Sequence, residues 1–447
     1  MSKLKPYPKY KDSGIEWIGE VPEGWSTGKV VYGFNVLLGK MLQLRPQSDQ
    51  DKVVPYYRSV NVQWEKVTNE LAEMWASPAD ILKYTVATGD LLVCEGGEAG
   101  RAAMVDRIAN SPTIIQNAVH RVRALPGFDI EYLLRLLQAA SSAGWISILC
   151  NKSTILHFTQ EKFNELVCTF PPLPEQQAIA AYLDRETSFI DALITKKTRS
   201  IELLREKRQA MITHAVTRGL NPNVKMKDSG VDWIGDVPEG WEVMPLKYIS
   251  DAITVGIVVN PSEYISEEGL PFIYGGDIRE GEIDFINSRK ISLADSKLNQ
   301  KTQLSFGDLL TVRVGYPGVT SVVPKECEGG NCASVMHIRR GVFNSYWLSY
   351  VMNSEVIKFQ IEVVKYGAAQ EQFNISHAIE FLIPTPPRNE QQSIAAFLNA
   401  YCYKINAIIF KTERSIELLK EKRQALITAA VTGKIDLREA ALEVVCC

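Results

Sequence analysis

The feature that most constrains this chain is an internal repeat. Residues 11–25, KDSGIEWIGEVPEGW, recur at residues 227–241 as KDSGVDWIGDVPEGW. A longer pair of segments begins at Glu175 and at Glu390, and these segments are identical at 27 of 43 positions with a constant offset of 215. A period this long indicates a duplicated domain rather than a solenoid of short repeats. The chain therefore consists of two tandem halves, each with a variable region followed by a matched segment.

The variable regions diverge in sequence but keep landmarks at nearly the same offset. Val54–Arg58 aligns with Leu270–Tyr274, and Gly89–Leu92 aligns with Gly307–Leu310. Short β-rich runs separated by glycine and asparagine turns predict mixed α/β structure in both regions. Two different surfaces on one scaffold are the expected result.

Helical periodicity in the variable regions is confined to short stretches. The apolar pattern predicts helix over Ile130–Ala140 in the first region and over Tyr346–Val363 in the second.

Each matched segment is predicted to form one long helix. Three prolines precede the first of them and place Glu175 in its first turn, where a carboxylate suits the helix dipole. Gly219 and Gly433 supply the C-terminal stops. Each helix is expected to measure about 65 Å at 1.5 Å per residue.

A heptad seam runs along both helices, with polar interruptions near its middle. Its apolar positions are Leu183, Ile190, Ile194, Ile201, Leu204 and Met211 in the first helix and Leu398, Ile405, Ile409, Ile416, Leu419 and Leu426 in the second. Because so narrow a stripe would otherwise be exposed, we expect the helices to pair antiparallel, with pseudo-twofold symmetry and the variable regions at opposite ends.

The alternative is two ordinary helices buried within one large domain. Identity at polar positions outside the seam, such as Glu202 and its copy Glu417, argues against it, because core packing does not require matching surfaces. Binding two copies of one partner would explain the identity, as would a recent duplication.

Composition favours a soluble, cytoplasmic protein with two or more cores. The chain has 447 residues, 46% of them hydrophobic, and it lacks both a signal peptide and a run of about 20 apolar residues. Eight cysteines are too few for a disulfide framework. Cys327, Cys332 and His337 are an alternative zinc set, which we disfavour because a structural zinc site needs four ligands.

Motifs of catalysis are missing from the sequence. There is no phosphate-binding loop, no Asp/Asn-Pro-Pro-aromatic motif of an amino-methyltransferase and no H-x-x-x-H pair among the five histidines. The sequence therefore favours a non-catalytic binding scaffold with no cofactor or metal of its own over a self-sufficient DNA-modifying enzyme.

Candidate DNA contacts are side chains in the glycine-rich loops of the variable regions, because arginine, asparagine and glutamine match base edges. They are Tyr56, Arg58, Asn61, Gln63, Gly97 and Arg101 in the first region and Tyr274, Arg279, Arg313, Tyr316, Tyr366, Gln370 and Gln372 in the second. For any one of them a solvated loop is the simpler explanation. The net charge of the variable regions does not favour DNA binding. Residues 1–170 have 18 basic and 18 acidic side chains, and residues 221–387 have 14 basic and 21 acidic side chains, a net charge of −7.

The matched segments resemble a known family. P-P-x-x-E-Q-Q-x-I-A-x-x-L followed by S-I-E-L-L-x-E-K-R-Q-A-x-I-x-x-A-V-T, at 171–217 and again at 386–432, is similar to the specificity (HsdS) subunit of type I restriction–modification systems, as is the leader K-D-S-G-x-x-W-I-G-x-V-P-x-x-W. The resemblance implies an α+β chain with two target-recognition domains separated by long antiparallel coiled-coil helices. The expected order is domain one at 1–170, a spacer helix at 171–220, domain two at 221–385, a second helix at 386–435 and a tail at 436–447.

The same resemblance implies the partners. Each recognition domain would read one half of a bipartite, asymmetric site in double-stranded DNA, and the helices would set the spacer and dock two copies of the modification subunit. S-adenosylmethionine would belong to that subunit, and ATP with Mg²⁺ to restriction subunits. The alternative from another class is an orphan or decoy scaffold that binds modification subunits without reading DNA. The net charge of the second region keeps this alternative open.

Overall fold

A computed structural model describes residues 5–108, 112–150, 157–250, 252–366 and 374–438, without the side chains of residues 365 and 366. The chain divides into two compact units: unit 1 is residues 1–197 with 414–447, and unit 2 is residues 198–413. The division falls inside both long helices. The five segments expected from the sequence describe the order of elements along the chain. In the folded chain, each unit combines one variable domain with one half of each long helix.

Unit 1 contains the first variable domain. Its strands are β1 (Tyr10–Ile15), β2 (Gly19–Pro22), β3 (Ser26–Lys29), β4 (Phe34–Leu38), β5 (Lys52–Tyr57), β6 (Val62–Gln63), β7 (Lys66–Val67), β8 (Ala72–Ala76), β9 (Leu91–Cys94), β10 (Ala102–Met104), β11 (Ile114–Ile115), β12 (Val119–Ala124) and β13 (Val167–Phe170). Its helices are α1 (Pro78–Tyr84), α2 (Ile130–Ser142), α3 (Trp145–Cys150), α4 (Gln160–Glu165) and the first half of α5 (Leu173–Arg218).

Unit 2 contains the second variable domain. Its strands are β14 (Met226–Asp228), β15 (Asp236–Pro238), β16 (Glu242–Pro245), β17 (Ile253–Val255), β18 (Ile265–Ser266), β19 (Leu270–Ile273), β20 (Ile278–Arg279), β21 (Glu282–Ile283), β22 (Arg289–Ile291), β23 (Leu309–Thr311), β24 (Thr320–Val322), β25 (Asn331–Cys332), β26 (Met336–Ile338) and β27 (Leu382–Thr385). Its helices are α6 (Leu293–Leu298), α7 (Ser345–Met352), α8 (Glu355–Tyr366), α9 (Ile375–Ala378) and the first half of α10 (Arg388–Val431).

The two units have matching sheet topology, except that the second sheet of unit 2 has an additional edge strand, β18. An antiparallel sheet has the order β10-β9-β12-β4 in unit 1 and β24-β23-β26-β17 in unit 2. The second sheet, β11-β5-β8 or β25-β19-β22-β18, contains one parallel pair, β5 with β11 or β19 with β25. The α+β prediction, with two mixed domains and two long helices, is confirmed.

One predicted helix is interrupted. Residues 346–363 form α7 and α8 instead of a continuous helix, with the break at Asn353 and Ser354. The Asn353 side chain donates to the carbonyl of Thr320 at 2.8 Å and accepts from the Thr320 amide at 3.0 Å. This bond to β24 provides a tertiary contact at the break that apolar periodicity does not reveal.

The aligned aspartates have equivalent roles. Asp90 is buried, accepts from the Ala87 amide at 2.7 Å and pairs with Arg123 at 2.8 Å. Asp308, also buried, accepts from the Ser305 amide at 3.0 Å and from His337 at 2.7 Å. The shared Gly-Asp landmark therefore marks a buried acceptor that closes the turn before β9 and before β23.

The leader and the Glu-Gln-Gln motif meet in both units. Glu175 accepts from the indole N–H of Trp25 at 3.1 Å and also from the Tyr7 hydroxyl. In unit 2, Glu390 accepts from the indole of Trp241 at 2.9 Å. Because both tryptophans are almost fully buried, each carboxylate satisfies a donor that burial would otherwise leave unpaired.

The following glutamine ties the long helix to the variable domain. Gln176 donates to the Pro171 carbonyl at 2.8 Å and accepts from the Asp129 amide at 2.9 Å, just before α2. Gln391 makes the same two bonds, at 3.0 Å to Pro386 and at 2.9 Å from Asn344 before α7. The motif thus fixes the start of each long helix against the start of a domain helix.

All twelve predicted apolar seam positions are buried or half-buried, and so are Arg208 and Arg423, which interrupt the seam. In unit 1, Ile179 and Leu183 of α5 share a core with Ile427 and Val431 of α10. In unit 2, Ile212 and Val216 of α5 share a core with residues of α10 that include Leu398. Arg205 pairs with Glu413 at 2.9 Å and Arg208 with Asn406 at 2.7 Å, so the helix segments of unit 2 run antiparallel.

One window of 18 residues in α10 is apolar enough, by length and composition alone, to cross a membrane. Ile394, Ala395, Leu398 and Cys402 belong to the core of unit 2, which explains much of its apolar character. Several other apolar side chains of α10, among them Phe410, are exposed.

We expect Glu175→Ala to lower the free energy of unfolding by about 1–3 kcal/mol, because it leaves the buried indole of Trp25 without an acceptor. Urea titration followed by tryptophan fluorescence measures this. The exposed Glu16, changed to Ala in the same unit, is the control, with an expected loss below about 0.5 kcal/mol. Equal values for the two variants would show that the bond to Trp25 does not stabilise the fold.

Candidate nucleic-acid interface

The loops that follow four strands converge at one edge of each variable domain. In unit 1, β4 and β9 both pair antiparallel with β12, and β5 runs parallel to β11. The strands β4 and β9 therefore run in the same direction and end on the same side, as do β5 and β11. We call residues 39–41, 57–61, 95–101 and 115–118 the loop cluster of unit 1.

Main-chain hydrogen bonds hold this loop cluster together. The Lys40 amide donates to Ile115 at 2.9 Å, and the Gln116 amide donates to Tyr57 at 2.9 Å. Ala118 has a positive φ of 95°, and its carbonyl accepts from the Glu95 amide at 2.9 Å. Bonds between all four segments make the cluster one surface.

The loop cluster of unit 2, residues 256–258, 273–277, 312–318 and 332–335, repeats two of these bonds. The Ile257 amide donates to Cys332 at 2.8 Å, and the Ala333 amide donates to Ile273 at 2.8 Å. The repeat therefore conserves the backbone frame of the cluster while its side chains differ.

Several predicted contacts lie on or beside the loop cluster of unit 1. Arg58 and Gly97 are exposed within it, and Gln63 is exposed in the following hairpin, where its amide donates to the Val60 carbonyl at 3.0 Å. Arg101 is turned back onto the cluster, since its guanidinium donates to Glu98 at 3.2 Å and to the Ser59 carbonyl at 3.1 Å. Of these four residues, Arg58 and Gly97 are exposed in the cluster itself.

Two predicted contacts in unit 1 are corrected. Tyr56 is 6% exposed and packs in a core with Met74 and Ile114, because its side chain points to the inner face of β5. Asn61 is 2% exposed, accepts from the Arg58 amide at 3.1 Å and donates to the Glu70 carbonyl at 3.0 Å. Neither side chain has surface left for a base edge, and Asn61 shapes the turn that presents Arg58.

In unit 2, Tyr316 is exposed at the tip of the loop between β23 and β24. Arg313 is half-buried and donates to Asn374 at 3.1 Å. Arg279 is exposed in β20. Tyr274 is half-buried against Phe272, with Arg289 4.3 Å above its ring.

The remaining predicted contacts cannot be placed on a surface. Gln370 and Gln372 lie outside the described residues, as does the side chain of Tyr366, whose backbone ends α8. The prediction that they contact DNA stays a prediction.

The alternative zinc set is not assembled from free ligands. His337 is bound to Asp308, and burial raises the pKa of Cys327 to about 11 and that of Cys332 to about 12. Burial therefore disfavours the thiolate, which is the form of cysteine that binds zinc. In the part of the chain that the structure describes, no group of three His, Cys, Asp or Glu side chains is arranged to hold a metal ion.

A charged cluster that the sequence pattern does not predict lies beside the loop cluster of unit 1. Glu65, between β6 and β7, accepts from Gln138 at 2.6 Å, from Arg423 at 2.7 Å and from Arg135. Burial alone would raise the pKa of Glu65, but the two arginines and Gln138 hold it below its usual value. The only sequence signal was the arginine that interrupts the apolar seam.

Comparison with known proteins shows similarity to one family. A profile described as "Type I restriction modification DNA specificity domain" matches residues 37–203. The MjaVIII type I restriction enzyme specificity subunit of Methanocaldococcus jannaschii is 23% identical over 94% of both chains. The EcoBI specificity subunit of Escherichia coli is 24% identical over 79% of this chain and 75% of its own. Over most of its length, the chain is therefore similar to type I restriction–modification specificity subunits.

Solved structures show the same fold. A chain from a study of complex assembly and conformational transition of the type I R-M system aligns with a TM-score of 0.70 and 17% identity, covering 93% of this chain and 99% of its own. The HsdS subunit from Thermoanaerobacter tengcongensis aligns with a TM-score of 0.53 and 17% identity, covering 93% and 98%. The chain therefore shares the fold of these two structures.

We expect Arg58→Ala to reduce base discrimination on duplex DNA by about 1–3 kcal/mol at one position, because an exposed guanidinium matches a guanine edge. Competition binding with single-base variants of the target, using the assembled complex, measures this. Arg101→Ala is the matched comparison, expected to lower stability because its guanidinium bonds within the domain. Equal loss of affinity for all sequences with Arg58→Ala would mark a phosphate contact instead.

Proposed function

We propose that this chain is a specificity subunit that directs DNA methylation and restriction by reading a bipartite, asymmetric site, one half with each variable domain. The observation that carries the proposal is the loop cluster, which has the same backbone frame in both units but different exposed side chains. A conserved frame with divergent side chains is what two readers of different half-sites require, because side chains at base edges determine sequence preference.

In this proposal the chain contributes recognition and no chemistry. S-adenosylmethionine is bound by the modification subunits, and ATP with Mg²⁺ by the restriction subunits. The partners also supply much of the phosphate contact that drives affinity, which compensates for the net charge of −7 over residues 221–387. The complex acts on chromosomal or invading DNA in the cytoplasm.

The long helices are proposed to dock two modification subunits. Arg199, Glu202, Leu203 and Glu206 lie on one face of α5, because they are spaced by three and four residues. The copies Arg414, Glu417, Leu418 and Glu421 lie on the corresponding face of α10.

Both faces have the same geometry. Arg199 pairs with Glu202 at 2.8 Å, and Arg414 pairs with Glu417 at 2.8 Å. The leucine is 48% exposed in α5 and 50% exposed in α10. An exposed leucine within an identical charged frame supports two equivalent binding sites for one kind of partner. The spacing of the two half-sites is then set by the helices.

The decoy alternative shares this docking and differs only at DNA. Co-expression of the chain with its neighbouring modification subunit, followed by single-molecule mapping of methylated adenines on plasmid DNA, separates the two. We expect a bipartite motif with a fixed gap and one methylated adenine in each half. A stable complex that methylates nothing would favour the decoy, and failure to form a complex would contradict the proposed docking.

Replacing Leu203 or Leu418 by Asp is expected to reduce the number of bound modification subunits from two to one, and replacing both to none. A buried charge without a partner opposes association by several kcal/mol. Native mass spectrometry of the purified complex gives the stoichiometry directly. Leu298→Asp, at an exposed leucine of α6, is the control and should leave two subunits bound. Two subunits on the double variant would exclude this face.

A further inference from the structure

An arginine of the matched segment reaches the variable domain in both units. In unit 1, Arg423 donates from Nε to both carboxylate oxygens of Asp191 at 3.1 Å, and from the guanidinium terminus to Glu65 at 2.7 Å. In unit 2 its copy Arg208 donates to Asn406 at 2.7 Å and to Glu280 at 3.1 Å. Each arginine thus joins the other long helix to the same hairpin of the variable domain.

The hairpins that receive these bonds belong to the divergent part of the repeat. Glu65 lies between β6 and β7, whereas Glu280 is the last residue before Gly281, between β20 and β21. The two glutamates therefore occupy neighbouring but different positions of the same turn. Both turns supply a carboxylate to the same arginine, although the surrounding sequences differ.

The backbone of Glu65 indicates that its side chain has a role. Glu65 has a φ of 61°, in the left-handed region that favours glycine, and the corresponding residue of unit 2 is Gly281 with a φ of 79°. Glycine would fit this turn of unit 1 without strain. A glutamate there keeps the carboxylate that Arg135, Gln138 and Arg423 bind.

The hairpin is directly linked to the loop cluster. In unit 1, β6 follows Asn61 without a gap, and the Thr68 amide donates to the Asn61 carbonyl at 2.8 Å. In unit 2 the Asp284 amide donates to the Asp277 carbonyl at 2.9 Å. A change in the orientation of either hairpin would therefore move the loop that presents Arg58 or Tyr274.

We propose that Arg423 and Arg208 are positioning residues that fix the DNA-reading loop of the variable domain in their own unit. Each repeat therefore positions the variable domain of the other repeat. Arg423, from the second repeat, positions the first variable domain, and Arg208, from the first repeat, positions the second. This inference rests on the proposed function, because it assigns each arginine to one half-site.

The test uses the full chain co-expressed with its modification subunit, with Arg423→Gln, Arg208→Gln and the conservative Arg423→Lys. Half-site one is identified as the half in which Arg58→Ala alters discrimination. We expect Arg423→Gln to reduce discrimination in half-site one by about fivefold or more and to leave half-site two unchanged, since losing a partly buried, charge-assisted bond to Glu65 has an effect of this size. Arg208→Gln should do the reverse, and Arg423→Lys should restore part of the loss.

A second variant keeps the test valid if Arg423→Gln does not fold. Glu65→Gly introduces the residue that unit 2 has at this position, so it retains the turn and removes only the carboxylate. It is expected to reduce discrimination in half-site one alone. Equal effects on both half-sites, or an effect of Arg423→Gln on half-site two alone, would overturn the inference.

Hydrogen exchange of the purified chain tests the positioning without DNA. Arg423→Gln should increase amide exchange in residues 62–67 and leave residues 278–283 unchanged, and Arg208→Gln should show the opposite pattern. Unchanged exchange in both hairpins would overturn the positioning role. Absence of a bipartite motif with the wild-type chain, together with the expected exchange pattern, would reject the proposed function while retaining the structural link.

Discussion

The structure depends on covering a narrow apolar stripe along two very long helices. Helices Leu173–Arg218 and Arg388–Val431 have apolar residues at heptad spacing, and neither helix buries that stripe by itself. Within each unit, one half of each helix shares a core with a variable domain. Stability of the helices and of the domains is therefore coupled, because the same buried residues serve both. The buried bonds from Glu175 to Trp25 and from Glu390 to Trp241 fix where each helix begins against its domain.

Polar residues in the seam have a second role that apolar packing cannot fulfil. Arg208 and Arg423 interrupt the stripe, and both are only about one-fifth exposed. A partly buried guanidinium needs acceptors, and the structure supplies them from the other long helix and from a hairpin of the variable domain. These bonds fix the helix and the hairpin in one relative position, whereas an apolar contact would allow them to slide. This is a reason for the repeat to retain arginine at both positions.

The sequence predicted the architecture well because its signals are periodic. Duplication, heptad spacing and terminal glycines are local features, and the structure has both helices within a few residues of the predicted bounds. Two of the predicted contact residues are buried. Tyr56 and Asn61 have side chains that can hydrogen-bond to bases. Strand alternation directs Tyr56 inward, and the side-chain amide of Asn61 is hydrogen-bonded within a turn. Residue type in a loop indicates what a side chain can bind, whereas exposure depends on neighbours distant in sequence.

The sequence by itself determined the resemblance to specificity subunits, the two-part organisation and the long helices, because motifs, repeats and periodicity are local features of the chain. Tertiary structure decided which residues form the loop clusters, since these join strands separated by up to about 80 residues, such as β4 and β11. It also decided that an arginine of one repeat binds a hairpin of the opposite variable domain, from Arg423 to Glu65. Antiparallel helix segments bring the end of one repeat to the domain of the other, and no local pattern encodes that proximity.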